Sequence, residues 1–146
     1  MNNKILIAAS AALTISIAGL AKAEPQAEVL HWWTSGGEAK SVAVLQEEFA
    51  SRGGTWTDMP VAGGGGDAAM TALRARVLAG NAPTAVQLKG PAIQEWYEEG
   101  VLADISSVAE SQGWSDVLPA SIAGHMKCEG TWCAAPVNVH RIDWIW

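Results

Sequence analysis

"EVLHWWTSGGE", residues 28 to 38, runs from an apolar stretch through two adjacent tryptophans into a glycine pair. Val29, Leu30, His31, Trp32 and Trp33 favour an extended chain, because branched and aromatic side chains fit a pleated surface. Glu28–Trp33 is therefore expected as a strand. From Ser35 onward the period changes. Val42, Leu45 and Phe49 recur at helical spacing and the pattern stops at Gly53-Gly54, which predicts a helix over 35–52. A strand that feeds straight into a helix opens a βαβ unit, and that reading decides the fold.

The same alternation continues downstream. Trp56–Val61 reads as a second strand and Gly63–Gly66 as a loop. Asp67 is placed to cap a helix that carries Met70, Leu73 and Val77 and ends at Gly80. Thr84–Leu88 reads as a third strand. Pro91 then opens a helix with Ile93, Trp96 and Tyr97 on one side and a stop at Gly100. This order predicts an α/β layer with a parallel sheet and right-handed crossovers. Short helices broken at Pro119 are expected over Val101–His125, then a hairpin over Met126–Ala135 and a last extended segment over Val137–Trp146. In that segment Ile142, Trp144 and Trp146 alternate with Asp143 and Ile145, like a half-buried strand cut short. The chain is accordingly expected to be a fragment.

The first residues read as an export signal. Asn2-Asn3-Lys4 gives a positive start, Ile5–Leu20 is apolar and rich in small residues, and Ala21-Lys22-Ala23 has the A-x-A form of a cleavage site. A membrane anchor is the alternative, although the apolar run is short. Cleavage after Ala23 is expected, leaving enough chain for one modest domain, and an apolar content of 49% fits a globular one. The net charge is −6, and loss of Lys4 and Lys22 makes the remainder more acidic still. Such a balance repels nucleic acid and anionic lipid surfaces.

The chemistry-bearing residues exclude several function classes. His31, His125 and His140 lie scattered, and with Cys128 and Cys133 they show no metal-ligand spacing, so neither metal nor cofactor is expected. Gly63–Gly66 lacks the G-K-[ST] ending of a phosphate loop. No nucleophile elbow is present. Glu95, Glu98 and Glu99 read as a solvated helix face.

What remains lies where strands end. In an open α/β sheet, ligands bind at the carboxyl ends of the strands. Trp32, Trp33 and Lys89 fall there. An indole offers a flat apolar face and an N–H edge, which suits the apolar face of a pyranose, and charged groups such as Glu38 and Lys89 suit its hydroxyls. Each has a plainer reading. Successive strand residues face opposite sides, so either tryptophan is equally a core residue. Ser35 and Glu38 fit a capping box. Lys89 stands just ahead of a helix N-terminus, where a cation opposes the helix dipole, and so wants another reason for its place.

"EVLHWWTSGGEAKSVAVLQEEF", "VAGGGGDAAMTALRARVLAGNAPTAVQLKGPAIQEW" and "APVNVHRIDWIW" resemble the periplasmic glucose/mannose-binding proteins of ABC importers, over Glu28 to Trp146. The resemblance implies a type II periplasmic-binding-protein fold of two α/β lobes. Residues 24–135 would form the first lobe and 136–146 the start of the hinge crossing, with the second lobe missing. It implies that Trp32, Trp33, Glu38 and Lys89 contact a monosaccharide and that Gly63–Gly66 is an adaptable loop near the cleft. It further implies a monomeric, non-enzymatic periplasmic protein that serves the membrane subunits of a permease. The alternatives are a secreted carbohydrate-active enzyme using Glu38 as acid or base, and a lectin-like glycan-binding module. With half the cleft absent, this piece alone is expected to bind sugar weakly. Trp33→Ala and Lys89→Ala are expected to weaken binding without lowering the melting temperature, Trp32 being the candidate for the inward-facing neighbour.

A disulfide is expected between Cys128 and Cys133. A type II′ turn at Gly130-Thr131 would set the two cysteines directly opposite each other as a close cross-strand pair. An exported protein meets an oxidising compartment in which the bond persists.

Overall fold

The structure is a computed structural model that describes residues 24–139. The expected signal peptide and residues 140–146 of the last extended segment lie outside the described residues. Strand β1 (Gln26–His31) leads into α1 (Gly36–Ser51), β2 (Thr55–Pro60) and α2 (Asp67–Leu78). Strand β3 (Ala85–Val86) and α3 (Ala92–Glu98) follow. Then come three short helices, α4 (Ser106–Ser111), α5 (Trp114–Val117) and α6 (Ala120–His125), and a hairpin of β4 (Lys127–Cys128) and β5 (Thr131–Trp132). Strands β1, β2 and β3 form a parallel sheet in the order β2-β1-β3, the parallel pairing that helical crossovers between strands allow.

The central strand sorts its side chains by parity. Glu28, Leu30 and Trp32 face α2 and the residues just ahead of it. Arg76 of α2 grips Glu28 with two bonds, Nη1 to Oε1 at 2.9 Å and Nη2 to Oε2 at 2.6 Å, and its Nε donates to the Asn81 carbonyl past the helix end. One guanidinium therefore ties β1 to the C-terminus of α2. Leu30 and Leu73 are completely buried. On the other side, Ala27, Val29, His31 and Trp33 share with Val42, Leu45 and Phe49 of α1 an apolar cleft of about 690 Å³. Phe49 also meets Trp56 of β2 edge to face, with ring centroids 6.3 Å apart.

A second apolar group fastens α3 to the hairpin. Ile93, Cys128 and Cys133 are buried together, with Leu88, Tyr97, Leu102, Met126 and Ala134 packed around them. Gln94 donates to the Lys127 carbonyl at 2.9 Å. Arg74 ties α2 to α3, lying 4.9 Å over the Trp96 ring and 3.2 Å from Glu99.

Several local expectations change. The 310 turn Gly64–Gly66 places Gly66, with φ +111°, at the N-cap of α2, so Asp67 is the first helical residue and not the cap. Ser35 does stand at the N-cap of α1, but its side chain makes no cap bond. The hairpin turns one residue earlier than Gly130-Thr131. Cys128 pairs with Thr131 and Lys127 with Trp132, so the turn residues are Glu129 and Gly130, both with positive φ (49° and 91°), as a type I′ turn demands. The structure joins Cys128 to Cys133 by a disulfide with Cα atoms 5.8 Å apart. In this register the two cysteines lie diagonally on one face, since Cys133 bonds to Met126 through its backbone. Among the described residues no helix is long and apolar enough to cross a membrane.

Two outcomes are expected. Cys128 and Cys133 resist alkylation until reduced, and a Cys128→Ala/Cys133→Ala variant loses on the order of 2 kcal/mol, because the closed loop is short; free thiols in unreduced protein would refute this. The hydrogen bond from Arg76 holds the Glu28 carboxyl below its ordinary 4.5. A depressed carboxyl contributes stability above the ordinary value and loses it as pH falls through the lowered one. Arg76→Met should therefore lower the melting temperature at neutral pH and flatten its fall in acid, read by circular dichroism melts across pH.

Candidate functional site

The carboxyl ends of β1 and β3 lie side by side at one edge of the sheet, and the segments that leave them carry the candidate residues. Past His31 the chain breaks from the ladder. The Val61 amide still donates to the His31 carbonyl at 2.8 Å, and the Gln87 amide to the Leu30 carbonyl at 2.8 Å. The amides of the tryptophan pair then turn to side chains. Trp32 N–H donates to Gln87 Oε1 at 3.1 Å and Trp33 N–H to His31 Nδ1 at 3.2 Å.

Trp32 and Lys89 come together. Lys89 Nζ lies 5.8 Å from the centre of the Trp32 ring and donates to the Gly65 carbonyl. The same ring covers Gly66: a Cβ there would stand 3.2 Å from three of its carbons, on a backbone at φ +111°. The glycine run is thus fitted to the indole. A side chain at Gly66 would be strained by its own φ and would press on Trp32. The half-buried Trp32 ring, the Lys89 ammonium and the exposed Gly65 form one polar-and-flat surface at the strand ends. An aromatic face with a cation beside it matches the two needs of a polyol ring, apolar contact and hydroxyl hydrogen bonds.

Trp33 goes elsewhere. It is 5% exposed, and it shares with His31, Val42, Gln46, Asp58 and Pro60 a smaller hollow of about 260 Å³. The inward-facing neighbour is Trp33, which reverses the expectation for the pair. Glu38 sits half-buried in the first turn of α1, at the end of that helix nearest the strand edge. Among the described residues no three His, Cys, Asp or Glu cluster as metal ligands would.

Two contributors went unread in the sequence. Gln87 looks like an ordinary strand residue, and His31 like one of several scattered histidines. Their common signal is position, since His31 is the last residue of β1 and Gln87 follows the last residue of β3, beside Trp32-Trp33, where amides leave the ladder and need acceptors.

No protein-family model matches this chain. It is 53% identical over 140 residues to a probable sugar-binding periplasmic protein of Brucella melitensis, covering 94% of this chain and 33% of that protein. Proteins of the same description in Rhizobium meliloti and Mesorhizobium japonicum are 52% identical over 143 residues and 45% identical over 146, covering 34% and 35% of their lengths. The chain spans about a third of the length of the curated relatives it matches. Among solved structures it is similar to an ABC substrate-binding protein of Listeria monocytogenes in complex with cycloalternan, with a TM-score of 0.60 and 22% identity over 74% of this chain and 27% of that one. The α/β fold described above is the fold of that matching part.

The two tryptophans should separate in a stability measurement. Trp33→Ala empties a buried site and is expected to cost about 3–5 kcal/mol, whereas Trp32→Ala costs clearly less. Chemical denaturation of both variants checks this, and equal losses would mean that the faces are wrongly assigned.

Proposed function

We propose that the chain belongs to a periplasmic solute-binding protein that captures a monosaccharide, glucose or a close relative, for delivery to the membrane subunits of an ABC importer. The observation that carries this reading is the half-buried Trp32 ring with Lys89 beside it, at the strand ends of a substrate-binding-protein fold. The similarity to probable sugar-binding periplasmic proteins supports its sugar-binding and periplasmic part. In the proposed site Trp32 is the stacking platform and Lys89 a hydroxyl donor, since an ammonium has three N–H groups and the Gly65 carbonyl takes one. Glu38 is the proposed acceptor for sugar hydroxyls. Trp33, 5% exposed and lining the apolar cleft and the smaller hollow, is proposed to anchor the edge from behind. Capture and release need no bond cleavage, so the protein is proposed as a binder and not an enzyme.

Calorimetric titration of D-glucose and D-mannose into the protein at its full natural length tests this. Saturable binding is expected, weakened roughly tenfold or more by Trp32→Ala and by Lys89→Ala, as loss of a stacked ring or a charged hydrogen bond implies, with the sugar recovered unchanged. The absence of binding to any monosaccharide, or steady turnover of a glucoside, would sink the proposal.

A further inference from the structure

Among the described residues His31 is the buried polar side chain of the core, 5% exposed among apolar neighbours, and the proposed capture of sugar makes no use of it. Both of its ring nitrogens are engaged. Nδ1 receives the Trp33 backbone N–H at 3.2 Å, and Nε2 lies 2.8 Å from Asp58 Oδ1 on the adjacent strand. An amide N–H can only donate, so Nδ1 must be unprotonated and present its lone pair. The ring proton then sits on Nε2 and is donated to Asp58. An Nδ1–H ring would set donor against donor at Trp33.

Asp58 is itself held from several directions. Trp56 Nε1 donates to Oδ1 at 3.1 Å, and the Gln46 side chain of α1 reaches the same carboxyl. Desolvation by its neighbours pushes the Asp58 carboxyl up, but the hydrogen bonds from Trp56, His31 and Gln46, together with the electrostatic pull of the His31 ring, keep the group below its ordinary 3.8. The acceptor for Nε2–H is therefore a carboxylate at neutral pH. The line Gln46–Asp58–His31–Trp33 amide connects helix α1, strand β2 and the point at which β1 leaves the sheet.

We infer that His31 is a positioning residue for the candidate site, a neutral imidazole clamped between Asp58 and the Trp33 amide that fixes the backbone where Trp32 and Trp33 part to opposite faces. Its partner in the task is Gln87, which holds the Trp32 amide from the β3 side. With both amides anchored, the Cα–Cβ bond of Trp32 is directed to the side on which its ring covers Gly66 beside Lys89. If either amide is freed, the stacking face rotates with the backbone. What the tryptophans are positioned for rests on the sugar-binding reading; the clamp itself does not.

Proton–nitrogen correlation spectra of the protein at its full natural length read the imidazole without any sugar. The Nε2–H tautomer is expected for the neutral ring, read in alkaline buffer, and an Nδ1–H neutral ring overturns the inference. Two variants then separate positioning from packing. His31→Asn keeps an oxygen acceptor near the Nδ1 position, whereas His31→Leu removes it. Glucose affinity is expected to fall roughly tenfold or more in His31→Leu and by less than about threefold in His31→Asn. The Trp33 amide resonance should keep its parent position in His31→Asn alone. Equal affinity losses in the two variants, or an unmoved Trp33 amide in His31→Leu, overturn the inference. If His31→Leu does not fold, the parent's imidazole spectrum and the affinity of His31→Asn still decide. If the parent takes up no sugar, the proposed function fails, and the imidazole and amide spectra judge the clamp alone.

Discussion

The pleat of one strand governs the rest of this structure. With β2 bonded along one edge and β3 along the other, β1 cannot turn about its own axis, and its side chains must alternate between two faces. That constraint sends Glu28 to Arg76 and His31 to Asp58. The adjacent tryptophans follow directly on His31 and keep the strand's alternation beyond the ladder, Trp32 covering Gly66 and Trp33 entering the core. The sheet edge is therefore both the end of the core and the start of the candidate site.

The order of strands and helices was legible because the hydrophobic period switches from two to three or four at Ser35, again after Gly66, and again at Pro91. Finer features were not, for separate reasons. Which tryptophan turned inward was hidden because β1 is covered on both faces; Val29 and Leu30 are both apolar, so parity leaves no alternation to read. Among the described residues the third strand is confined to Ala85–Val86, where it pairs with Val29 and Leu30 of β1. The hairpin slipped by one residue because a glutamate at positive φ is unfavourable by itself, and local chemistry alone favours glycine first in the turn. The pairing of Lys127 with Trp132 and the packing of both cysteines on Ile93 outweigh that preference. The cap of α2 fell to Gly66 and not Asp67 because the glycine turn, folded under Trp32, supplies a left-handed residue where the helix begins.

Lys89 shows how a local conflict and a candidate site coincide. A cation ahead of α3 opposes that helix's dipole, but the Gly65 carbonyl and the Trp32 ring both turn electron density towards it. These contacts join the β3 exit to the glycine turn before α2, two segments far apart in the chain. They leave ammonium donors available without leaving the charge unsupported. A ligand arriving there meets a cation already held in place, so less side-chain freedom is lost on binding than with a free lysine.

The same economy operates beneath the edge, and it bears on register. Were β1 to slip by one residue against its neighbours, Leu30 would face Asp58 and His31 would turn towards α2 and Leu73. The imidazole would then be buried without its carboxylate. An unsatisfied buried polar group costs about 1–3 kcal/mol, so such a slip carries that penalty besides the loss of the Glu28–Arg76 pair. An apolar residue at position 31 would impose no such penalty, because both faces of β1 accept apolar side chains. A polar residue in the middle of that core distinguishes one register from the next. His31 thus makes the strand's parity, and with it the separate destinations of Trp32 and Trp33, a property of hydrogen bonding and not of packing alone.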